Sequence, residues 1–130
     1  MEGESVPVET LMSTEIVTVS PEASLEEAAN DLLDEGIASL LVTDEDGELT
    51  GILTNTDFVG MIADGESGAE ATVGDYMSTD VITASPGEPI TDAAARMITN
   101  NIHHLPVVTP EDDLAGMLST TDLATHLSYS

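Results

Sequence analysis

Apolar residues near the start of the chain recur with the spacing of a helix that buries one face. They stand at i, i+3, i+4, i+7 and i+8. These positions are Leu25, Ala28, Ala29, Leu32 and Leu33. Ser24 with Glu27 three residues later is the capping-box signature of a helix start, and Gly36 tolerates the left-handed conformation of a helix end. The pattern predicts a helix that begins at Ser24 and is ended by Gly36.

Short β-rich runs flank this helix. "IVTV" (16–19) precedes it, while "ASLLVTD" (38–44) and "LTGILT" (49–54) follow it and are separated by the turn sequence "DEDG". A further short helix is predicted from Asp57. The order β-α-β-β-α places the chain in the α/β (α+β) class.

The same pattern occurs a second time without a gap. "LMSTEIVTVSP" aligns with "YMSTDVITASP", and "GILTNTDF" aligns with "GMLSTTDL". The repeats are predicted to cover 8–62 and 73–127, and the polar segment 63–72, which has no period, is predicted to be a linker. One repeat cannot bury both faces of its sheet, so we expect the two to pack as an intramolecular pair related by a pseudo-two-fold axis.

The second repeat is expected to form the same elements as the first. Its predicted strands are "VITA" (81–84), "HHLPVVT" (103–109) and "LAGMLS" (114–119). Its predicted long helix carries the apolar stripe Ile90, Ala93, Ala94, Met97 and Ile98. Asn101 stands where Gly36 ends the first helix, and the last helix is predicted from Asp122.

The charge of the chain is extreme. It has 26 Asp and Glu against one Lys or Arg, a formal net charge of −25, while 41% of its residues are hydrophobic. Self-repulsion on this scale destabilises a compact state in dilute buffer, and molar salt screens it. We therefore expect a salt-rich cytoplasm, as in a halophilic archaeon. The scarcity of Lys and Arg argues against nucleic acid and anionic membranes as partners.

Each repeat closes with a glycine, two apolar residues, a hydroxyl residue and an aspartate. Thr54 with Asp57, and Ser119 with Asp122, fit the [ST]-x-x-[DE] capping box. A cap places no demand on the glycine that opens each motif. A carboxylate also suits the two hydroxyls of a ribose, and a hydroxyl at a helix start suits an anion. Capping and ligand binding are compatible, and both remain open from these residues.

The chain resembles tandem CBS domains, also called a Bateman module. The resemblance rests on "MST…VxTxxP" opening each repeat, "G-h-h-[ST]-x-x-D" closing it, and "HHLPVV" in the second repeat. It covers nearly the whole chain. The family implies a cleft between the repeats that binds AMP, ADP, ATP or S-adenosylmethionine as a regulatory ligand, with no other cofactor and with magnesium accompanying ATP.

The resemblance also implies roles for particular residues. Those expected at the ribose and at the phosphate or its equivalent are Asp57, Asp122, Thr54 and Ser119. Those expected beside the adenine base are Thr18, Thr83, Ile37, Ala38, Ser39, Ile102, His103, His104 and Pro106. Because "ASLLV" in the first repeat replaces "HHLPV", the two clefts are expected to differ. Arg96 is expected outside the cleft, so a ligand of low charge should bind better than metal-free ATP.

Other chemistry finds little support in the sequence. There is no cysteine, nucleophile elbow, zinc-protease motif or phosphate loop, so we do not expect an enzyme. His103 and His104 are adjacent on a predicted strand and point to opposite faces, which disfavours a shared metal ion. We expect a cytoplasmic regulatory homodimer that acts on an unidentified protein. The alternative is a ligand-free scaffold for protein association.

Overall fold

The computed structural model of the chain describes residues 6–128. Its helices are α1 (Val8–Leu11), α2 (Leu25–Glu35), α3 (Asn55–Ala63), α4 (Val73–Tyr76), α5 (Ile90–Asn100) and α6 (Thr120–Ser128). Its strands are β1 (Thr18–Val19), β2 (Ser39–Thr43), β3 (Leu49–Thr54), β4 (His104–Val108) and β5 (Leu114–Ser119). This mixed order of helices and strands occurs in both repeats, except that no strand precedes α5 in the second repeat, and it confirms the predicted fold class.

The chain forms two compact units. The first-repeat unit is Val17–Val81, and the second-repeat unit comprises the described residues 6–16 and 82–128. In the first-repeat unit β1 pairs in parallel with β2, and β2 pairs in antiparallel with β3. In the second-repeat unit β4 pairs in antiparallel with β5. Each unit has its own hydrophobic core beneath its strands.

The predicted helix signals have the expected geometry. The Ser24 hydroxyl accepts a hydrogen bond from the Glu27 backbone N–H at 3.1 Å, so α2 begins where the capping signature places it. Gly36 and Asn101 end α2 and α5 in the left-handed conformation, with φ of 66° and 54°. Helices α3 and α6 begin two residues before Asp57 and Asp122, because each aspartate is the third residue of its helix rather than the first.

The predicted strand at 81–84 is wrong. In the first-repeat unit the N–H of Leu41 donates to the carbonyl of Val17 at 3.4 Å, which pairs Thr18 with Leu41. The residue of the second repeat that aligns with Leu41 is Pro106, which has no N–H. Pairing there is reduced to an isolated bridge between Ala84 and Val107.

Two short helices were not predicted from the sequence. Helices α1 and α4 have four residues each, which is too short for a helical period to be visible in the sequence. Val8 and Val73 open them and are completely buried in the cores of the second-repeat and first-repeat units, respectively. The "MST" segments that follow these helices therefore start from a fixed position.

The "MST" segments pair with the last strand of each unit. In the second-repeat unit, Ser13 exchanges two backbone hydrogen bonds of 2.9 Å with Met117 of β5. In the first-repeat unit, Ser78 exchanges bonds of 2.9 and 3.0 Å with Ile52 of β3. Each compact unit is thus built from most of one repeat together with the opening segment of the other.

This pairing explains the glycine of each closing motif. A Cβ added to Gly116 would lie 2.6 Å from the carbonyl oxygen of Ser13 and 2.8 Å from the sulfur of Met12. A Cβ on Gly51 would lie 2.6 Å from the sulfur of Met77, with a backbone oxygen at 2.9 Å. The glycines are needed because another backbone crosses the strand closely at these points.

The segment 63–72, predicted as a linker, is packed against the start of α2. The carbonyl of Ala71 accepts from the N–H of Leu25, and the carbonyl of Gly68 accepts from the N–H of Glu26, both at 2.9 Å. Ala71 itself is buried. The segment therefore satisfies backbone donors that the first turn of a helix leaves unpaired.

The apolar stripes of α2 and α5 are only partly buried, contrary to the sequence prediction. Leu33 is 80% exposed and Ile98 is 82% exposed, while Leu32 and Met97 lie in the cores. In the first-repeat unit, an apolar groove of about 530 Å³ runs between α2 and α3 and is lined in part by Leu33. Within residues 6–128, none of the helices has both the length and the apolarity to cross a bilayer.

Candidate functional site

The closing motif of the second repeat forms a complete capping box. The backbone N–H of Ser119 donates to Oδ2 of Asp122 at 2.8 Å, and the N–H of Asp122 donates to the Ser119 hydroxyl at 3.1 Å. Within residues 6–128, no hydrogen bond reaches Oδ1 of Asp122. The side chain is half-buried, so this oxygen is held in place and is still an acceptor for a ligand.

The histidine segment lies beside this capping box. His104 pairs with Ser119 across the two strands, and the N–H of Thr120 donates to the carbonyl of His103 at 3.0 Å. His104 is half-buried and His103 is exposed, which agrees with the expected opposite directions of neighbouring side chains. The "HH" of the motif is thereby fixed against the first turn of α6.

Burial lowers the pKa of His104. The charge of His103 lowers it further, whereas the carboxylate of Asp122 acts in the opposite direction. The neutral form of the imidazole therefore predominates at pH 7, and this form can both donate and accept a hydrogen bond. Among the described residues, no three His, Asp or Glu side chains are grouped as a metal site.

Thr83 lies at the edge of β4 opposite to β5 and Ser119, next to Pro106, which is a residue of β4 itself. The N–H of Ala84 donates to the carbonyl of Pro106 at 2.9 Å, which places Thr83 next to the edge of the strand. Thr83 is exposed and Pro106 is fully buried. Ile102, the remaining predicted residue, packs on the core of this unit, so only its backbone is positioned for a polar contact.

The first repeat has a matching set in its own unit. The N–H of Thr54 donates to Oδ2 of Asp57 at 2.8 Å, and Ser39 pairs with Thr54 across the strands. Thr18 and Ala38 are exposed, Ser39 is buried, and Ile37 packs on the core. The chemistry differs from that of the second repeat, because Ser39 stands in the position of His104 and no imidazole is present.

Burial raises the pKa of Asp57. The hydrogen bonds from the backbone and side chain of Thr54 act against this effect and are weaker than it. The carboxyl group consequently holds its proton to a higher pH than an exposed aspartate does. Any hydrogen bond that this carboxylate accepts from a ligand will weaken on acidification earlier than usual.

The sequence reasoning missed Arg96 as a neighbour of the predicted base position. Its guanidinium donates to both carboxylate oxygens of Glu88, at 2.6 and 3.0 Å, and also to the carbonyl of Thr83 at 3.1 Å. Its hydrogen bond to Glu88 raises the pKa of Arg96 and lowers that of Glu88. A Glu and an Arg eight residues apart carry no common signal in sequence, and the contact with Thr83 needs the fold.

Both repeats match the model of a known domain family. The CBS domain matches residues 8–64 and, again, residues 73–129. Protein MJ1225 of Methanocaldococcus jannaschii is 30% identical over 116 residues, which are 89% of this chain and 41% of that protein. The homoserine O-acetyltransferase of Methanococcoides burtonii is 35% identical over 113 residues, 87% of this chain and 22% of that enzyme. The chain thus spans less than half the length of either relative.

A solved structure matches the chain along almost its whole length. It is the crystal structure of the CBS domain pair of protein MJ0100 in complex with 5′-methylthioadenosine and S-adenosyl-L-methionine. The identity is 29% and the TM-score is 0.87, over 95% of this chain and 97% of that one. Both ligands of that protein carry an adenosine group and no phosphate.

Proposed function

The chain belongs to the CBS-domain family, and from this premise we propose that it is a regulatory module that binds an adenosyl ligand and modulates a partner protein. The observation that carries the proposal is the free acceptor oxygen of Asp122 beside the neutral His104. A carboxylate held by a capping box can accept from both hydroxyls of a ribose without being reoriented. The solved relative with two adenosyl ligands supports the same ligand class.

The charge of the chain favours a ligand without a triphosphate. Arg96 is the only Lys or Arg in the sequence, and its guanidinium is already paired with Glu88. An ATP tail would therefore meet a net charge of −25, and the one Arg side chain that could offset its charge is already paired. We propose S-adenosylmethionine, which is cationic at its sulfur, or AMP as the preferred ligand, and ATP only together with magnesium.

Titration calorimetry tests the proposal most directly. S-adenosylmethionine, 5′-methylthioadenosine, AMP, ADP and ATP, with and without magnesium, would be titrated in molar KCl. We expect saturable binding of at least one adenosyl ligand, and weaker binding of metal-free ATP than of AMP. No heat and no thermal shift with any of them would favour the alternative function, a scaffold for protein association.

Replacing Asp122 by asparagine should weaken adenosyl binding by about 1–3 kcal/mol, because a charge-assisted acceptor for two hydroxyls is lost. If the residue serves only as a cap, the change should cost a few tenths to about 1 kcal/mol of stability and leave affinity unchanged. Calorimetry of the variant, with its melting temperature measured in parallel, separates the two roles.

The matched control is Asp57→Asn in the first repeat. It removes the same group from the same kind of capping box, so it should cost similar stability. We expect a smaller loss of affinity than for Asp122→Asn, because no imidazole accompanies Asp57. Full affinity of Asp122→Asn for every ligand that binds the wild-type chain would refute the ribose role.

We further propose that the chain is a homodimer that covers its exposed apolar helix residues. They are Leu33, Val59, Ile62, Ile98 and Leu127. The groove between α2 and α3 supports a second copy as the partner, because its walls are mainly apolar and a surface of this kind marks an interaction site. A homodimer is compatible with both the ligand-binding function and the alternative function as a scaffold, so it does not distinguish between them.

Light scattering in molar KCl should give twice the chain mass of 13.5 kDa at micromolar concentration. The double variant Leu33→Gln, Ile62→Gln should shift the mass toward the monomer, because it places two polar groups in the buried interface. The single variant Glu45→Gln, at an exposed turn, is the control and should remain dimeric. A monomeric wild-type chain would contradict the proposal.

A further inference from the structure

Arg96 is fixed between a carboxylate and a backbone carbonyl. Glu88 receives both ends of the guanidinium fork, and the Glu88 carboxylate also accepts the N–H of Ser85 at 3.3 Å. Nη1 of Arg96 then donates to the carbonyl of Thr83 at 3.1 Å. The fork geometry of a bidentate pair restricts the guanidinium to one orientation, which a lysine could not reproduce.

The Thr83 segment lacks the strand pairing that its counterpart has. Thr18 of the first repeat is held in a parallel ladder, of which the bond from Leu41 to Val17 is a part. Pro106 removes that bond in the second repeat, so the backbone on the N-terminal side of Ala84 receives no donor from β4. The hydrogen bond from Arg96 reaches this same stretch from the side facing α5.

The first repeat has no counterpart of the Arg96–Glu88 ion pair. Asp31 aligns with Arg96, and Ala23 aligns with Glu88. A guanidinium at 31 is not needed there, because the ladder already holds Thr18. The second repeat therefore loses the backbone hydrogen bond that Pro106 cannot donate and gains the hydrogen bond from the Arg96 side chain. These two bonds belong to opposite sides of the short segment that contains Thr83.

We propose that Arg96, oriented by Glu88, is the positioning residue for Thr83 in the candidate ligand site of the second repeat. The ligand part of this inference rests on the proposed function, whereas the positioning of the backbone does not. With its carbonyl engaged, Thr83 presents its N–H and its hydroxyl, neither of which bonds to any residue in 6–128. These two donors match the ring nitrogens of a purine, which are acceptors.

Hydrogen exchange measured by NMR tests the positioning without any ligand. In Arg96→Gln we expect the amides of Ala84 and Val108, which hold the bridge to β4, to exchange about tenfold faster or more. The β5 amides of the same unit should keep their wild-type rates. Equal acceleration of all these amides would overturn the inference, because it would mean that Arg96 only stabilises the unit as a whole.

Three further variants sharpen the result. Arg96→Lys keeps the charge but not the fork, and should accelerate exchange at Ala84 by an intermediate factor. Asp31→Asn, at the matching position of the first repeat, should leave exchange at Ala84 unchanged. Adding Pro106→Leu to Arg96→Gln restores a backbone donor and should slow the exchange again. Persistently fast exchange in this double variant would overturn the idea that one bond replaces the other.

Titration with 5′-methylthioadenosine and S-adenosylmethionine completes the test. If the wild-type chain binds either one, Arg96→Gln should lower the affinity about three- to tenfold, and Asp31→Asn should not. Unchanged affinity in Arg96→Gln together with faster exchange at Ala84 would overturn the ligand part alone. Absence of binding in the wild-type chain would refute the proposed function, and the exchange data would still decide the role of Arg96.

Discussion

Gly116→Ala is expected to lower the free energy of unfolding by about 3 kcal/mol, at the upper end of the range for overpacking a well-packed site. The new methyl group meets the carbonyl oxygen of Ser13 at 2.6 Å, and a backbone oxygen cannot move aside as a side chain can. Relief requires the two hydrogen bonds between Ser13 and Met117 to lengthen or break. Urea unfolding in molar KCl would measure the loss.

Two other glycines provide a graded comparison. Gly51→Ala should cost less, because its nearest neighbour is the flexible end of Met77, although a backbone oxygen lies at 2.9 Å. Gly60→Ala should be neutral or stabilise by about 0.5–1 kcal/mol, because Gly60 lies in α3 and nothing stands within 4 Å of the added carbon. Equal effects at Gly116 and Gly60 would rule out the close crossing of the Ser13 segment.

The glycines show where reasoning from the sequence stops. Their presence in both motifs was visible, and it was clear that capping did not require them. Their cause is a backbone contact with a segment far away in the chain, Ser13 for one glycine and Ser78 for the other. No local pattern encodes such a contact, because hydrophobic periodicity reports only which face of an element is buried.

Features that depend on neighbouring residues were predicted closely. The bounds of β3 and β5 agree with the sequence runs 49–54 and 114–119, and Ser24 and Gly36 delimit α2 as their local chemistry requires. The predicted strand at 81–84 failed for a non-local reason: its partner, Pro106, lacks the required N–H. The hydrogen bond from Arg96 to the carbonyl of Thr83 was not predicted for the same reason, because only the fold brings these two residues together.

In the candidate site, too, some features could be predicted from neighbouring residues and others required the fold. The capping boxes were predicted from the [ST]-x-x-[DE] spacing alone, and the second repeat forms both of its bonds. The pairing of His104 with Ser119 requires the strand register, and the raised pKa of Asp57 requires its burial. Residue types and spacing therefore identified the capping groups, and the resemblance to a known family pointed to His104, while protonation and orientation depended on the fold.

The melting temperature of the chain should rise by about 10 °C or more between 0.1 M and 3 M KCl. Two like charges about 10 Å apart in water repel by about 0.4 kcal/mol, and with a net charge of −25 many such pairs exist. Unfolding separates these charges, so low salt favours the unfolded chain. At molar salt the screening length falls to about 3 Å, and a gain of a few kcal/mol corresponds to a shift of this size.

A charge-reduced variant distinguishes screening from the general salting-out effect of KCl, which strengthens apolar burial whatever the charge. The variant carries glutamine at four exposed positions whose side chains make no hydrogen bond with the described residues. They are Glu35, Glu45, Glu70 and Glu111. Screening predicts a higher melting temperature for this variant in 0.1 M KCl and a shallower rise with salt, whereas salting-out predicts an unchanged slope. A wild-type melting temperature that stays flat across the range would remove the basis for a salt-rich cytoplasm, because a fold that tolerates this charge in dilute buffer does not need molar salt.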